Sequence, residues 1–393
     1  MKTTDQDTFP VFSLFGGYLQ RLGRRLGLIS GTNTLWFGVA LGVLAWGVLV
    51  LLTLGMGYGR KVFSLDVIGA HVRFLVAVPL FFLCETWVAP LMTEFVRNIV
   101  RSGVVPETER LALGAVIRRF DRLKDSWLAD VLLVLAAFAF PLFSAFGALP
   151  GQPGRSGNWT SLLAHAEGQF GPALGWYLWF CLPLFRFLVA RWIWHLALWT
   201  CFLWRVQKLN LHLIPTHPDR VAGLGFLEVV QEHFGVLAAA ISAVYAASFA
   251  EDIASGAMAF ETVYRLIPLV VAINAVLFLG PLFIFSQKLW ACRVTGWSEY
   301  MGMASRYVDS FDRKWIRGEN PSAEPLLGTD DMQSLADLAS SVDVVREMRW
   351  IPVSQRFLLS LAASALAPLL PLLLFKYPVA ELATKLFQAL SGL

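Results

Sequence analysis

Residues 35–56 read LWFGVALGVLAWGVLVLLTLGM, and this stretch decides the fold class. It contains no ionisable side chain, and apolar residues occupy every face of the helix it would form. A helix in water needs a polar face, whereas one in lipid must be apolar all round. At 1.5 Å per residue the stretch rises about 33 Å, enough to cross a hydrocarbon core of about 30 Å.

Six further apolar stretches follow, at about Val67–Leu91, Val131–Leu149, Ala173–Trp204, Phe234–Ala250, Leu266–Gln287 and Phe357–Phe375. Charged residues make up 15% of the 393 residues and are crowded between these stretches. Soluble domains carry about 25%, spread over their surfaces. The expectation is an all-α polytopic transmembrane bundle of about seven spans. Ala173–Trp204 is too long for one perpendicular crossing and is expected to continue as helix past the inner interface.

Orientation follows from the Lys and Arg residues. The segment Thr93–Trp127 holds Arg97, Arg101, Arg110, Arg118, Arg119, Arg122 and Lys124. Placing the N-terminus inside keeps such tracts in the cytoplasm, as the positive-inside rule requires. The same placement explains the basic tracts without nucleic acid, which is not expected as a partner. The expected partners are the bilayer, anionic lipids at its cytoplasmic face and further copies of the chain. The expected location is a bacterial inner membrane.

Along the chain, residues 1–30 read as an interfacial amphipathic segment, with Arg21, Arg24 and Arg25 among Phe12, Phe15 and Tyr18. Residues 31–290 form the main bundle, with cytoplasmic helices near 93–127 and 205–233. Residues 291–350 are a small helical cytoplasmic region, and 351–393 hold the last span and a tail. Gly151–Gly171, rich in Gly, Pro, Ser and Asn, reads as an outer loop. The four cysteines, Cys84, Cys181, Cys201 and Cys292, form no CxxC pair and read as small apolar side chains.

Ionisable groups inside spans are the leading functional candidates, because burying them demands a partner or water. Arg186 falls near mid-membrane, with Glu85 as a candidate partner. Arg191 and His195 share a helical face one turn apart. There Arg191 is expected to snorkel to the inner interface, with His195 beyond the hydrocarbon. Asn274 reads as an interhelical hydrogen-bonding group. Glu251, Asp252 and Glu261 make an acidic outer mouth that would become a cation-concentrating ring in an oligomer, or else an ordinary solvated loop.

The string Pro215–Leu227, PTHPDRVAGLGFL, lies just inside the fourth span. Its prolines forbid a regular helix, and Gly223 and Gly225 permit tight turns. His217, Asp219 and Arg220 are its polar candidates. His212, His217 and Asp219 are metal-capable but lack the spacing of a known zinc motif, and a capped turn explains the same residues. No cofactor is expected. The string resembles one found in uncharacterised bacterial multi-pass membrane proteins, a resemblance that implies a bacterial inner membrane and no activity.

Three functional readings remain open. One is an oligomeric ion channel or channel-like transporter. A second is a membrane-anchored scaffold or sensor working through its cytoplasmic helices. The third is a membrane enzyme or metal-binding protein, which the absence of GxSxG, P-loop and HExxH motifs disfavours.

Overall fold

The computed structural model describes residues 12, 14, 16, 25, 27, 34–57, 62–146, 171–317 and 330–377, with side chains within 139–146 left aside. The described residues form helices and turns, with no strand among them. In chain order the helices are α1 (Leu35–Gly55), α2 (Ile68–Arg101), α3 (Arg110–Lys124), α4 (Trp127–Phe146), α5 (Pro172–Gln207), α6 (Gly225–Ala254), α7 (Phe260–Ile316), α8 (Asp330–Arg346) and α9 (Gln355–Phe375).

Among the described residues, six helices are long and apolar enough to cross a membrane: α1, α2, α5, α6, α7 and α9. The chain is an all-α integral membrane protein. The expected third span falls on α4, which is 20 residues long; its last few residues lie outside the described part of the chain. So do most of residues 1–30, the loop at 151–170 and the tail beyond Tyr377. Of the N-terminal segment, Phe12 is fully buried, and its ring stacks on Phe202 at 4.0 Å.

Helix α2 is the hub. It packs against α1, α5 and α6, and α6 in turn carries α7 and α9. Small residues allow the close approaches. Any side chain at Gly42 of α1 would collide with the Phe74 carbonyl of α2.

Contacts at the two ends of the bundle agree with alternating crossings. At one end Glu251 meets Gly69, and Lys376 meets Glu261. At the other, arginine-rich end, the His212 amide donates to Val104, and Asn210 donates to Glu109. No cross-contact would bring these segments together unless the chain reversed at each span.

The helices expected near 205–233 flank a break: α5 ends at Gln207, residues 208–224 are non-helical, and helix resumes at Gly225. Pro215 and Pro218 supply the reason, since each lacks an amide proton and clashes with the preceding turn. The described part of residues 291–350 is two helices, the end of α7 and α8. Helix α7 leaves the bundle and runs on to Ile316, where α8 folds back along it.

Candidate functional site

Ionisable groups within the bundle gather at two levels. The level nearer the arginine-rich end holds an ion pair between α2 and α5. Arg191 donates from Nη1 to Glu85 Oε2 at 2.9 Å and from Nη2 to Glu85 Oε1 at 3.2 Å. Arg191 is 5% exposed and Glu85 1%, so the pair is sealed from water. A planar guanidinium matches a carboxylate in this two-point geometry, and desolvation makes each partner depend on the other.

The depth of the pair follows from its neighbours. The Thr34 hydroxyl at the start of α1 donates to the Phe82 carbonyl at 2.9 Å, and the Thr34 amide donates to Thr86 Oγ1 at 3.0 Å. Glu85 therefore sits level with the beginning of the first span. Gly69 marks the opposite end, about 24 Å away along the helix. The pair closes the arginine-rich end of the apolar layer.

One turn beyond Arg191, His195 is buried, with its ring edge-on to Trp192 at 5.9 Å. Two turns past Arg191 on the same face, Trp199 Nε1 donates to Gln231 Oε1 at 3.2 Å, and Gln231 Nε2 donates to the Phe278 carbonyl at 2.7 Å. Those two bonds tie α5, α6 and α7 together.

The second level lies in the opposite half of the bundle, where α2 and α5 both depart from regular α-helix. Val72–Ala77 and Tyr177–Cys181 are π-helical. Such insertions widen a helix turn and often accompany functional sites. They are joined side to side, because Arg73 Nη1 donates to the Tyr177 hydroxyl at 3.0 Å. Trp176 Nε1 donates to the Ala45 carbonyl at 3.1 Å, which pins this part of α5 against α1.

Arg186 is half-buried and lies within electrostatic range of Tyr177 and Arg73. Tyr177 also senses Glu251. Two guanidiniums thus share one intramembrane neighbourhood with a phenol, and Glu251, which accepts the Gly69 amide at 2.7 Å, lies in the same half of the bundle.

No family model, curated protein or solved structure matches this chain. The placement of its candidate residues therefore rests on geometry.

Several expectations change. The partner of Glu85 is Arg191, not Arg186, and Arg191 does not snorkel to the interface. His195, one turn further along, is buried within the bundle. The acidic outer mouth is divided: Glu251 is turned into the protein, Asp252 is partly covered, and exposed Glu261 faces Lys376 at 3.5 Å. Asn274 does hydrogen-bond between helices, donating to Ser242 of α6 at 3.3 Å and to the Val270 carbonyl of its own helix at 2.9 Å.

The Pro215–Leu227 loop is organised around Asp219. Its Oδ1 accepts from the Val221 amide at 2.9 Å and the Gly223 amide at 3.2 Å, and its Oδ2 accepts from Gly225 at 2.8 Å. His217 Nδ1 lies 2.8 Å from the same carboxylate. Among the described residues no three His, Cys, Asp or Glu side chains gather as metal ligands, so His212, His217 and Asp219 do not form such a group.

Arg220 projects outward to Glu347 at 2.8 Å, while the Arg349 amide donates to the Arg220 carbonyl at 2.7 Å. Arg349 also reaches Glu228 at 2.9 Å. Through these bonds the loop clasps the segment that leads into α9.

Sequence reasoning singled out neither Arg73 nor Tyr177. A tyrosine inside an apolar tract carried the available signal. Its pairing with Arg73 depends on how α2 and α5 are set against each other.

Proposed function

We propose that this protein is a membrane permeation protein for an anionic solute, a channel or channel-like transporter. The observation that carries the reading is the pair of intramembrane arginines, Arg73 and Arg186, set around the Tyr177 hydroxyl where α2 meets α5. Desolvated guanidiniums attract carboxylates and phosphates, and intramembrane charges of this kind mark solute pathways. Glu85 and Arg191 then close the passage towards the arginine-rich end, which the positive-inside rule assigns to the cytoplasm. Opening would require α2 and α5 to separate at that level.

The test is solute flux in sealed liposomes containing the purified protein. Anion flux should need the protein and fall at least roughly tenfold in Arg186→Gln, since the lost contact is charge-assisted. Arg73→Gln should lower it as well. Flux of cations alone, or anion flux indifferent to both substitutions, would end this reading.

A second reading, a membrane-anchored scaffold or sensor, is favoured by the long stalk of α7 and its antiparallel α8. It predicts no flux for any small ion, together with specific crosslinking of a cytoplasmic protein to the stalk.

A further inference from the structure

Helix α7 carries its apolar run through Phe285, after which Ser286, Gln287 and Lys288 bring polar side chains back. Its continuous α-helical part beyond that point, Ser286–Phe311, has 26 residues and rises about 39 Å. One side of this stalk is covered by α8, through Leu335, Leu338, Val342 and Val345, which face it at coiled-coil spacing. Tyr307 donates to the Asp331 carbonyl at 3.0 Å and Lys314 pairs with its carboxylate at 2.7 Å, fastening the far end of the hairpin.

A second apolar seam runs along the stalk on a different side. Trp290, Val294, Trp297, Met301, Ala304 and Val308 follow one another at intervals of four, three, four, three and four residues. That is the heptad pattern of a helix made to pack against another helix. Yet Trp290 is 54% exposed, Val294 51% and Val308 49%. Within the bilayer such exposure would face lipid, but this seam lies past Lys288, whose ammonium donates to the Leu209 carbonyl beyond the end of α5. A contiguous apolar stripe in water marks an interaction surface.

We infer that this seam is the contact between two copies of this chain, joined as a parallel coiled coil of their stalks. Copies inserted in one membrane share an orientation, so stalks related by an axis along the membrane normal run parallel and in register. An in-register heptad seam requires that arrangement. The flanking positions fit it. Across a parallel seam Arg293 faces Ser298 of the second copy, Tyr300 faces Ser305, and Tyr307 faces Asp312, so no like charges meet. Ala291, Ser298 and Ser305 are small, which leaves room for the second copy's α8. Valines at Val294 and Val308 occupy the positions where β-branched residues favour two strands.

The test uses the full chain in native membranes with a short thiol-specific crosslinker, the native cysteines setting the baseline. Ala304→Cys should yield a covalent dimer at least tenfold above that baseline. Glu299→Cys and Arg306→Cys, on the opposite face, should stay at it. Adding Val294→Asp and Met301→Asp to Ala304→Cys should abolish the dimer and give a monomer mass by light scattering, with thermal unfolding unchanged. The inference fails if Ala304→Cys stays at baseline, as it would if the seam lay against the membrane. It fails equally if the opposite face crosslinks as well, or if the aspartates leave the dimer intact.

Discussion

Arg191 and Glu85 meet through two hydrogen bonds, at 2.9 and 3.2 Å, between helices whose remaining contacts at this level are apolar. A buried charge that loses its partner costs about 3–5 kcal/mol, while replacing both partners with apolar groups is often neutral. Arg191→Leu and Glu85→Leu should therefore each destabilise the protein by about that amount, and the double substitution should recover most of the loss. Unfolding titrations in bicelles of the wild type, both single variants and the double variant measure the coupling. Additive losses would mean that the pair contributes nothing as a pair.

Asp219 holds three backbone amides, and the chain around it needs holding. Arg220 and Ala222 adopt φ values of 59° and 56°, and Gly223 adopts 93°. Side chains other than glycine reach that region at a cost of about 1–2 kcal/mol each. Asp219→Ala should release the turn at a cost of about 3 kcal/mol, from several charge-assisted bonds. Asp219→Asn should cost less, because one oxygen can still serve Val221 and Gly223. Hydrogen exchange at the Val221, Gly223 and Gly225 amides reads this directly: all three should accelerate in the alanine variant, and Gly225 most in the asparagine variant.

The hairpin of α7 and α8 carries a pH dependence of known sign. Hydrogen bonds from Lys314 and Trp315, then the charge of Lys314, hold the Asp331 carboxyl below its ordinary value, with slight burial opposing them. A carboxyl depressed in the folded state adds stability that is present above its unfolded value and lost as pH falls through the folded one. The far end of the hairpin should therefore loosen on acidification below the ordinary aspartate range. Asp331→Asn should abolish that step, and Trp315 emission or exchange in α8 would report it.

Hydropathy made the spans legible because each lipid-facing helix must satisfy the same apolar requirement on its own. The uncharged residues 35–56 needed no knowledge of any neighbour. The partner of Glu85 was a different kind of question. Arg186 and Arg191 are both plausible from depth, and only the rotation of α5 against α2 turns Arg191 towards the carboxylate. Tyr177 was hidden for the same reason, since a π-helical turn shifts the phase of every residue after it. The heptad seam on α7 was present in the spacing from Trp290 to Val308. It became informative once α8 was seen to cover another side of the helix.

Gly69 and Glu251 provide the most local test of how the far end of the bundle is closed. The Gly69 amide lies at the start of α2, where the first turn of a helix has no internal acceptor. The Glu251 carboxylate, 6% exposed, supplies one at 2.7 Å and thereby fastens α6 to α2. A methyl group at Gly69 would lie 2.6 Å from Glu251 Oε1, closer than any stable contact. Gly69→Ala must displace the carboxylate, losing a charge-assisted bond and leaving an acid buried, at about 2–3 kcal/mol. Glu251→Gln keeps an oxygen acceptor and should cost about 1 kcal/mol or less. Gly69→Ala combined with Glu251→Ala, which removes both the clash and the charge, should be more stable than Gly69→Ala alone. Thermal unfolding of the four proteins decides the matter. If the double variant is the least stable of them, Glu251 holds α6 through contacts other than the one to Gly69.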